Sequence, residues 1–146
     1  MIKTIHFVNV LSILLFVISL GYIYAYLPVM VQLQPENSLW NIHKAYFFYW
    51  AAGGFFVINV FLWMLNSMVN PLLVMQRGEV VAAWFTALTF AVNISLITLL
   101  GFLGVFNNST HVPVDGFLYL TYMGPVVLAA WAIGFIYLIL RKKATG

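Results

Sequence analysis

Residues 80–106 read VVAAWFTALTFAVNISLITLLGFLGVF, and this stretch decides the fold. It carries no Asp, Glu, Lys or Arg, and it is longer than the roughly 20 mostly apolar residues with which a helix crosses a bilayer. Three further stretches have the same character. Because the bilayer core offers no hydrogen-bond partner to an unpaired backbone group, each of these stretches predicts a helix. The sequence therefore predicts an all-α polytopic membrane protein, a single four-helix transmembrane domain over residues 1–146 with spans at about 5–27, 45–68, 80–106 and 117–140.

The composition supports a membrane protein and excludes several other classes. Hydrophobic residues make up 64% of the chain and charged residues 6%, against about 45–50% and about 25% in soluble domains. The absence of cysteine excludes disulfides, thiol catalysis and cysteine-ligated iron–sulfur clusters. The net charge of +3 is scattered and forms no basic face, so no nucleic-acid partner is expected.

Proline and polar residues set the predicted ends of the spans. We expect Pro28 to end the first span, Asn70-Pro71 to end the second, and Asp115 to cap the fourth. The first span is predicted to be retained, because its apolar core exceeds the usual roughly 7–15 residues of a signal peptide and no small-x-small cleavage site follows.

The basic residues orient the predicted bundle. With four spans, one side holds the two termini and the loop near residue 77, and the other side holds the two remaining loops. The first side carries Lys3, Arg77, Arg141, Lys142 and Lys143, whereas the second carries Lys44 with Glu36 and Asp115. The positive-inside rule then predicts cytoplasmic termini. We expect an integral protein of a bacterial inner or plasma membrane.

Few residues of the predicted spans suit catalysis or a cofactor. The spans contain no Asp, Glu, Lys or Arg, and their single histidine, His6, lies at the cytoplasmic edge. His43 and His111 fall in the outer loops, where they lack a set of partner ligands. The serines have no nearby base to activate them. We therefore expect no metal, no cofactor and no enzymatic activity.

Three amides inside the predicted spans are the candidate polar site. Asn59 and Asn66 are seven residues apart and share one face of the second span, and Asn93 lies at a similar depth in the third. The favoured interpretation is hydrogen bonding between helices. The alternative is a polar pocket for a small ligand or a quinone headgroup.

Two other features concern packing and docking. Gly124-Pro125 predicts a kink in the fourth span. The favoured interpretation of the kink is a packing feature, and the alternative is part of a substrate path. The loop over 28–44 exposes Leu39, Trp40 and Ile42, which are apolar for a loop in water. They suggest a docking surface or a tether to the membrane interface.

These features favour a non-catalytic accessory or structural subunit of a larger membrane complex, either energy-converting, such as a respiratory complex, or transporting. Its expected partners are other membrane protein subunits in a hetero-oligomer, together with lipids. Aromatic residues form 18% of the chain, more than the thin interior of so small a bundle accommodates. The alternatives are a small homo-oligomeric transporter or channel, and a lipid- or quinone-binding membrane protein.

Overall fold

The computed structural model of the protein describes residues 2–33, 41–108 and 114–143. Five α-helices, two short strands and one 3-10 turn make up these residues. In chain order they are α1 (Ile2–Tyr26), β1 (Met30–Gln32), β2 (Asn41–His43), α2 (Lys44–Arg77), α3 (Glu79–Thr86), α4 (Leu88–Phe106), the 3-10 turn (Val114–Phe117) and α5 (Tyr119–Lys143).

Four helical segments are long and apolar enough to cross a membrane, which confirms the predicted helical class. Helices α3 and α4 together form the third segment, Glu79–Phe106. They meet at Ala87, whose backbone stays in the right-handed helical region and whose N–H donates to the carbonyls of both Ala83 and Trp84. The interruption is therefore a local tightening of one long helix.

The predicted end of the second span at Asn70-Pro71 is wrong. Helix α2 continues through Pro71 to Arg77. Proline removes one helical hydrogen bond, but Pro71 itself is exposed, and the side chain of Asn70 donates to Thr86 Oγ1 at 2.9 Å, which holds this turn against α3. The helix ends at Gly78, where φ is 83° and ψ is 168°, a region that only glycine enters without strain.

The third segment is the centre of the bundle. Helix α4 packs along both α1 and α5, and α2 packs mainly against α3. Helix α1 runs parallel to the third segment, because Asn9 contacts Thr86 and Ile23 lies beside Gly104, whereas α2 and α5 run antiparallel to that segment. The start of α1, the junction at Gly78 and the end of α5 therefore lie at the same end of the bundle. We call this the terminal end, and the opposite end, where β1 and β2 pair, the hairpin end.

The hydrophobic core lies towards the hairpin end. It joins α1, α2, α4 and the hairpin, and its buried members are Phe16, Leu20, Leu27, Val31, Phe47, Phe55 and Leu100. The rings of Phe16 and Phe55 stack with centroids 3.7 Å apart and planes 3° apart. This stack joins α1 to α2 within the core, and a second ring contact, between Tyr24 and Phe48, joins the same two helices nearer the hairpin.

The two strands form a hairpin that packs against the core at the hairpin end of the bundle. Strands β1 and β2 are antiparallel, with the fully buried Val31 opposite Ile42. Asn107, just past α4, accepts from the Gln32 N–H at 2.7 Å and donates to the Gln32 carbonyl at 2.9 Å. His43 caps α2, because its Nδ1 accepts from the Ala45 N–H at 3.2 Å.

Candidate functional site

Two of the three predicted amides are in direct contact. Asn59 donates to Asn93 Oδ1 at 3.0 Å, and Asn93 donates back to Asn59 Oδ1 at 3.1 Å. Asn93 also donates to Ser12 Oγ at 2.9 Å, and Asn59 to the Phe55 carbonyl at 3.0 Å. Both amide nitrogens thus use both hydrogens, and Asn93, which is fully buried, links α1, α2 and α4.

Asn66 belongs to a second group of polar side chains, nearer the terminal end. It donates to Thr89 Oγ1 at 3.1 Å, while Asn70, one turn further along α2, donates to Thr86 Oγ1 at 2.9 Å. Asn9 reaches the same threonine from α1, donating to the Thr86 carbonyl at 3.2 Å. We call Asn9, Asn66, Asn70, Thr86 and Thr89 the amide cluster. All but Asn70 are buried.

The amide cluster has acceptors without donors. The side-chain oxygens of Asn9, Asn66 and Asn70 are closed to solvent and have no hydrogen-bond partner among the described residues. An unsatisfied buried acceptor costs about 1–3 kcal/mol, and apolar surroundings offer no compensation. Asn9 and Asn70 bond to Thr86, and Asn66 bonds to Thr89 one turn away, so the three unsatisfied oxygens belong to residues held by two neighbouring threonines.

Three of the grooves in the described part of the chain are lined largely by side chains of α2. An apolar groove of about 710 Å³ lies between α1 and α2, and Asn59 and Trp63 line one part of it. A second of about 460 Å³ lies between α2 and α4 beside the Phe16–Phe55 stack. A third of about 630 Å³ lies next to the amide cluster and is lined by His6, Trp63, Asn66, Ser67, Asn70, Pro71, Val74 and Met75.

Gly124 and Pro125 lie where α5 approaches α4. Ser95 Oγ donates to the Gly124 carbonyl at 3.0 Å, and a Cβ added at Gly124 would lie 3.1 Å from Ser95 Cβ. Pro125 lies inside α5, which runs from Tyr119 to Lys143. The glycine thus permits close packing of two helices at this point.

Of the three predicted docking residues, one lies within the described part of the chain. Leu39 and Trp40 lie outside the described residues. Ile42 is in β2, where it is partly buried and packs against the hydrophobic core. In the described part of the chain, no three His, Asp or Glu side chains come together as a metal site.

Four polar partners of the amides carry no sign of that role in the sequence: Asn9, Ser12, Thr86 and Thr89. Serine and threonine in helices commonly bond to their own backbone, so their spacing carries little signal. The periodicity did contain one clue, because Asn59, Asn66 and Asn70 share one face of α2. No known protein family, curated protein or solved structure matches the chain, so its geometry alone supports the functional proposals below.

Proposed function

We propose that the protein is a non-catalytic, membrane-embedded subunit of a larger membrane complex, with both termini in the cytoplasm. The orientation rests on the basic residues, five of which flank the terminal end. Membrane insertion is supported by the four apolar helical segments. The proposed setting is a bacterial inner or plasma membrane.

The observation that carries the subunit proposal is the outer surface of α2. Its most apolar stretch is 11% buried within the described structure and that of α5 is 6% buried, so α2 is distinguished by the residues that it exposes and not by low burial. Its exposed side chains include large aromatic residues and methionines along most of its length: Tyr49, Trp50, Phe56, Phe61, Trp63, Met64, Met68 and Met75. Aromatic residues and methionine are enriched at protein interfaces. This composition favours a protein partner over lipid alone.

The non-catalytic role is supported by the residue types in the interior. Where the structure describes the chain, the buried polar side chains are carboxamides and hydroxyls. The Ser12, Ser95 and Thr86 hydroxyls each donate to a main-chain carbonyl, and within the described residues none of them is hydrogen-bonded to a histidine or a carboxylate that would activate it. Such groups suit packing and binding.

The subunit proposal is tested by extraction in a mild detergent from the native membrane, followed by native mass spectrometry. We expect additional membrane subunits at fixed stoichiometry. A photo-crosslinker at Trp50, which is exposed on α2, should capture one of those subunits. The same photo-crosslinker at Ile133, which is exposed on α5, is the matched control. A homo-oligomer with crosslinks only between identical chains would contradict the proposal and favour a small transporter or channel.

A second candidate function is the binding of a lipid or a quinone. The specific observation is the groove of about 710 Å³ between α1 and α2, which is almost wholly apolar but has Asn59 at its wall. An apolar chain fits such a groove, and a few polar groups orient a ligand. Lipid extraction of the purified protein tests this candidate. Replacement of Gly21, which also lines the groove, by Phe should abolish retention of the bound molecule.

A further inference from the structure

A cavity of about 400 Å³ lies at the terminal end, where three of the four apolar segments have an end. The second segment ends at Arg77, the third begins at Glu79, and the fourth ends at Arg141. These three residues line the cavity together with Gly78, Val80, Val81 and Leu138. A cavity at the ends of apolar spans lies at the level of the lipid headgroups when the protein is inserted in a bilayer.

The charged side chains give this cavity a positive balance. Its lining contains two guanidinium groups, those of Arg77 and Arg141, and one carboxylate, that of Glu79, which leaves one formal positive charge in excess. Among the described residues, no side chain caps the start of α3, so the positive end of the helix dipole adds to this balance. The cavity therefore attracts an anion.

The two arginines suit a phosphate in particular. A guanidinium group binds phosphate oxygens through paired N–H donors and is more weakly hydrated than an ammonium group. It has five N–H donors, so it can bind a phosphate and keep another contact. Arg77 is half-buried and Arg141 is exposed, so neither is closed off from a ligand outside the bundle.

The apolar part of the lining favours a phospholipid over a free phosphate. Val80 is exposed and Leu138 is half-buried, and both line the cavity beside the charged residues. The acyl chains of a phospholipid gain from contact with such apolar surface, whereas inorganic phosphate does not. Basic pockets between transmembrane helices are known to bind the headgroups of anionic lipids.

We propose that this cavity binds the phosphate group of an anionic phospholipid, with Arg77 and Arg141 as its ligands. The site is separate from the apolar groove between α1 and α2, because the two share no lining residue. The inference goes beyond the proposed subunit function and does not depend on it. It concerns a lipid that the chain holds, whichever proteins surround it.

The test is thermal unfolding of the purified full chain in detergent micelles that contain phosphatidylglycerol, or phosphatidylcholine with the same acyl chains, at constant ionic strength. We expect a saturable rise of the melting temperature with phosphatidylglycerol and a much smaller rise with phosphatidylcholine. Inorganic phosphate alone should give no rise. Equal rises with the two lipids would overturn the proposal. An equal rise with inorganic phosphate would indicate a site for a free anion and overturn the assignment to a lipid.

Charge variants locate the site. Arg77→Gln and Arg141→Gln should each raise the apparent Kd for phosphatidylglycerol by about tenfold or more. Glu79→Gln should lower it by about two- to fivefold, because it removes the negative charge of the lining. Lys3→Gln is the matched control, since it removes one positive charge from the same end but does not line the cavity. Equal effects of Lys3→Gln and the arginine variants would indicate general attraction to this end and overturn the site.

Gly21→Phe distinguishes this site from the second candidate function. The added ring fills the apolar groove between α1 and α2, so it should leave the apparent Kd for phosphatidylglycerol unchanged. Loss of the response in Gly21→Phe would place the lipid in that groove and overturn the proposal. Because Arg141 is exposed, Arg141→Gln keeps the test informative if Arg77→Gln does not fold.

Discussion

Trp84 and Trp131 hold α3 and α5 together by a reciprocal pair of hydrogen bonds. Each indole Nε1–H donates to the main-chain carbonyl of the other residue, at 2.9 Å in both directions. The Trp84 ring also lies directly against Gly134, one turn further along α5, where an added Cβ would overlap it. The contact between α3 and α5 therefore depends on the two indole hydrogen bonds and on the absence of a side chain at Gly134.

We predict that Gly134→Ala destabilises the protein by displacing Trp84. Loss of the two indole hydrogen bonds should cost about 1–2 kcal/mol, on the scale of polar contacts between membrane helices. Gly53→Ala is the matched control, because nothing lies within 4 Å of its added Cβ. Unfolding free energies in mixed detergent micelles measure both. Equal values for the two variants would contradict the packing described for Trp84.

The pairing of Asn59 with Asn93 predicts non-additive effects. Asn59→Leu, Asn93→Leu and the double variant form a thermodynamic cycle. We expect a coupling free energy of about 0.6 kcal/mol, and at most about 1.7 kcal/mol, the range found for interhelical hydrogen bonds. Asn93→Leu should be the more damaging single change, because it also removes the contact with Ser12. Strict additivity would show that the two amides do not stabilise each other.

The contact of Asn107 with Gln32 predicts selective loosening of the hairpin. Asn107→Leu removes both hydrogen bonds, whereas Asn107→Asp keeps an acceptor for the Gln32 N–H and loses the donor to its carbonyl. Hydrogen exchange at the Gln32 amide should accelerate strongly in the Leu variant and weakly in the Asp variant. Exchange in the middle of α4 should not change in either variant. Unaltered exchange at Gln32 in both would refute the role of Asn107.

Gly78 predicts a backbone penalty at the junction of α2 and α3. Its φ of 83° and ψ of 168° lie in a region that other residues avoid, so Gly78→Ala should cost about 1–3 kcal/mol of unfolding free energy. Gly21→Ala is the control, since that glycine is helical and has open space around its Cβ position. It should be neutral or stabilise by up to about 1 kcal/mol. A neutral Gly78→Ala would imply that the junction adopts another conformation.

Several features of the fold were predictable because they depend on the bilayer. Spans such as 80–106 follow from hydropathy and from the need to satisfy the backbone within lipid. The meeting of Asn59 with Asn93 followed from depth, since neighbouring antiparallel spans bring residues at equal depth together. These inferences require no knowledge of side-chain detail.

Other features depend on tertiary packing that the sequence does not display. Pro71 is a helix stop by local rules, yet α2 continues through it, and at that turn the Asn70 side chain bonds to Thr86 of α3. His43 is predicted to lie in a loop, but its side chain caps the N-terminus of α2. Trp131 carries no sign in the sequence of its bond to Trp84, because the two are 47 residues apart.

The distance along the chain between Gln32 and Asn107 bears on the order of assembly. The two residues are 75 positions apart, so the hairpin near the first span is fastened by the far end of the third. During synthesis the first two spans and the hairpin emerge before Asn107 exists. The hairpin therefore lacks its contact with Asn107 until the third span is complete. In a chain truncated before residue 107, the hairpin should be more readily cleaved by proteases.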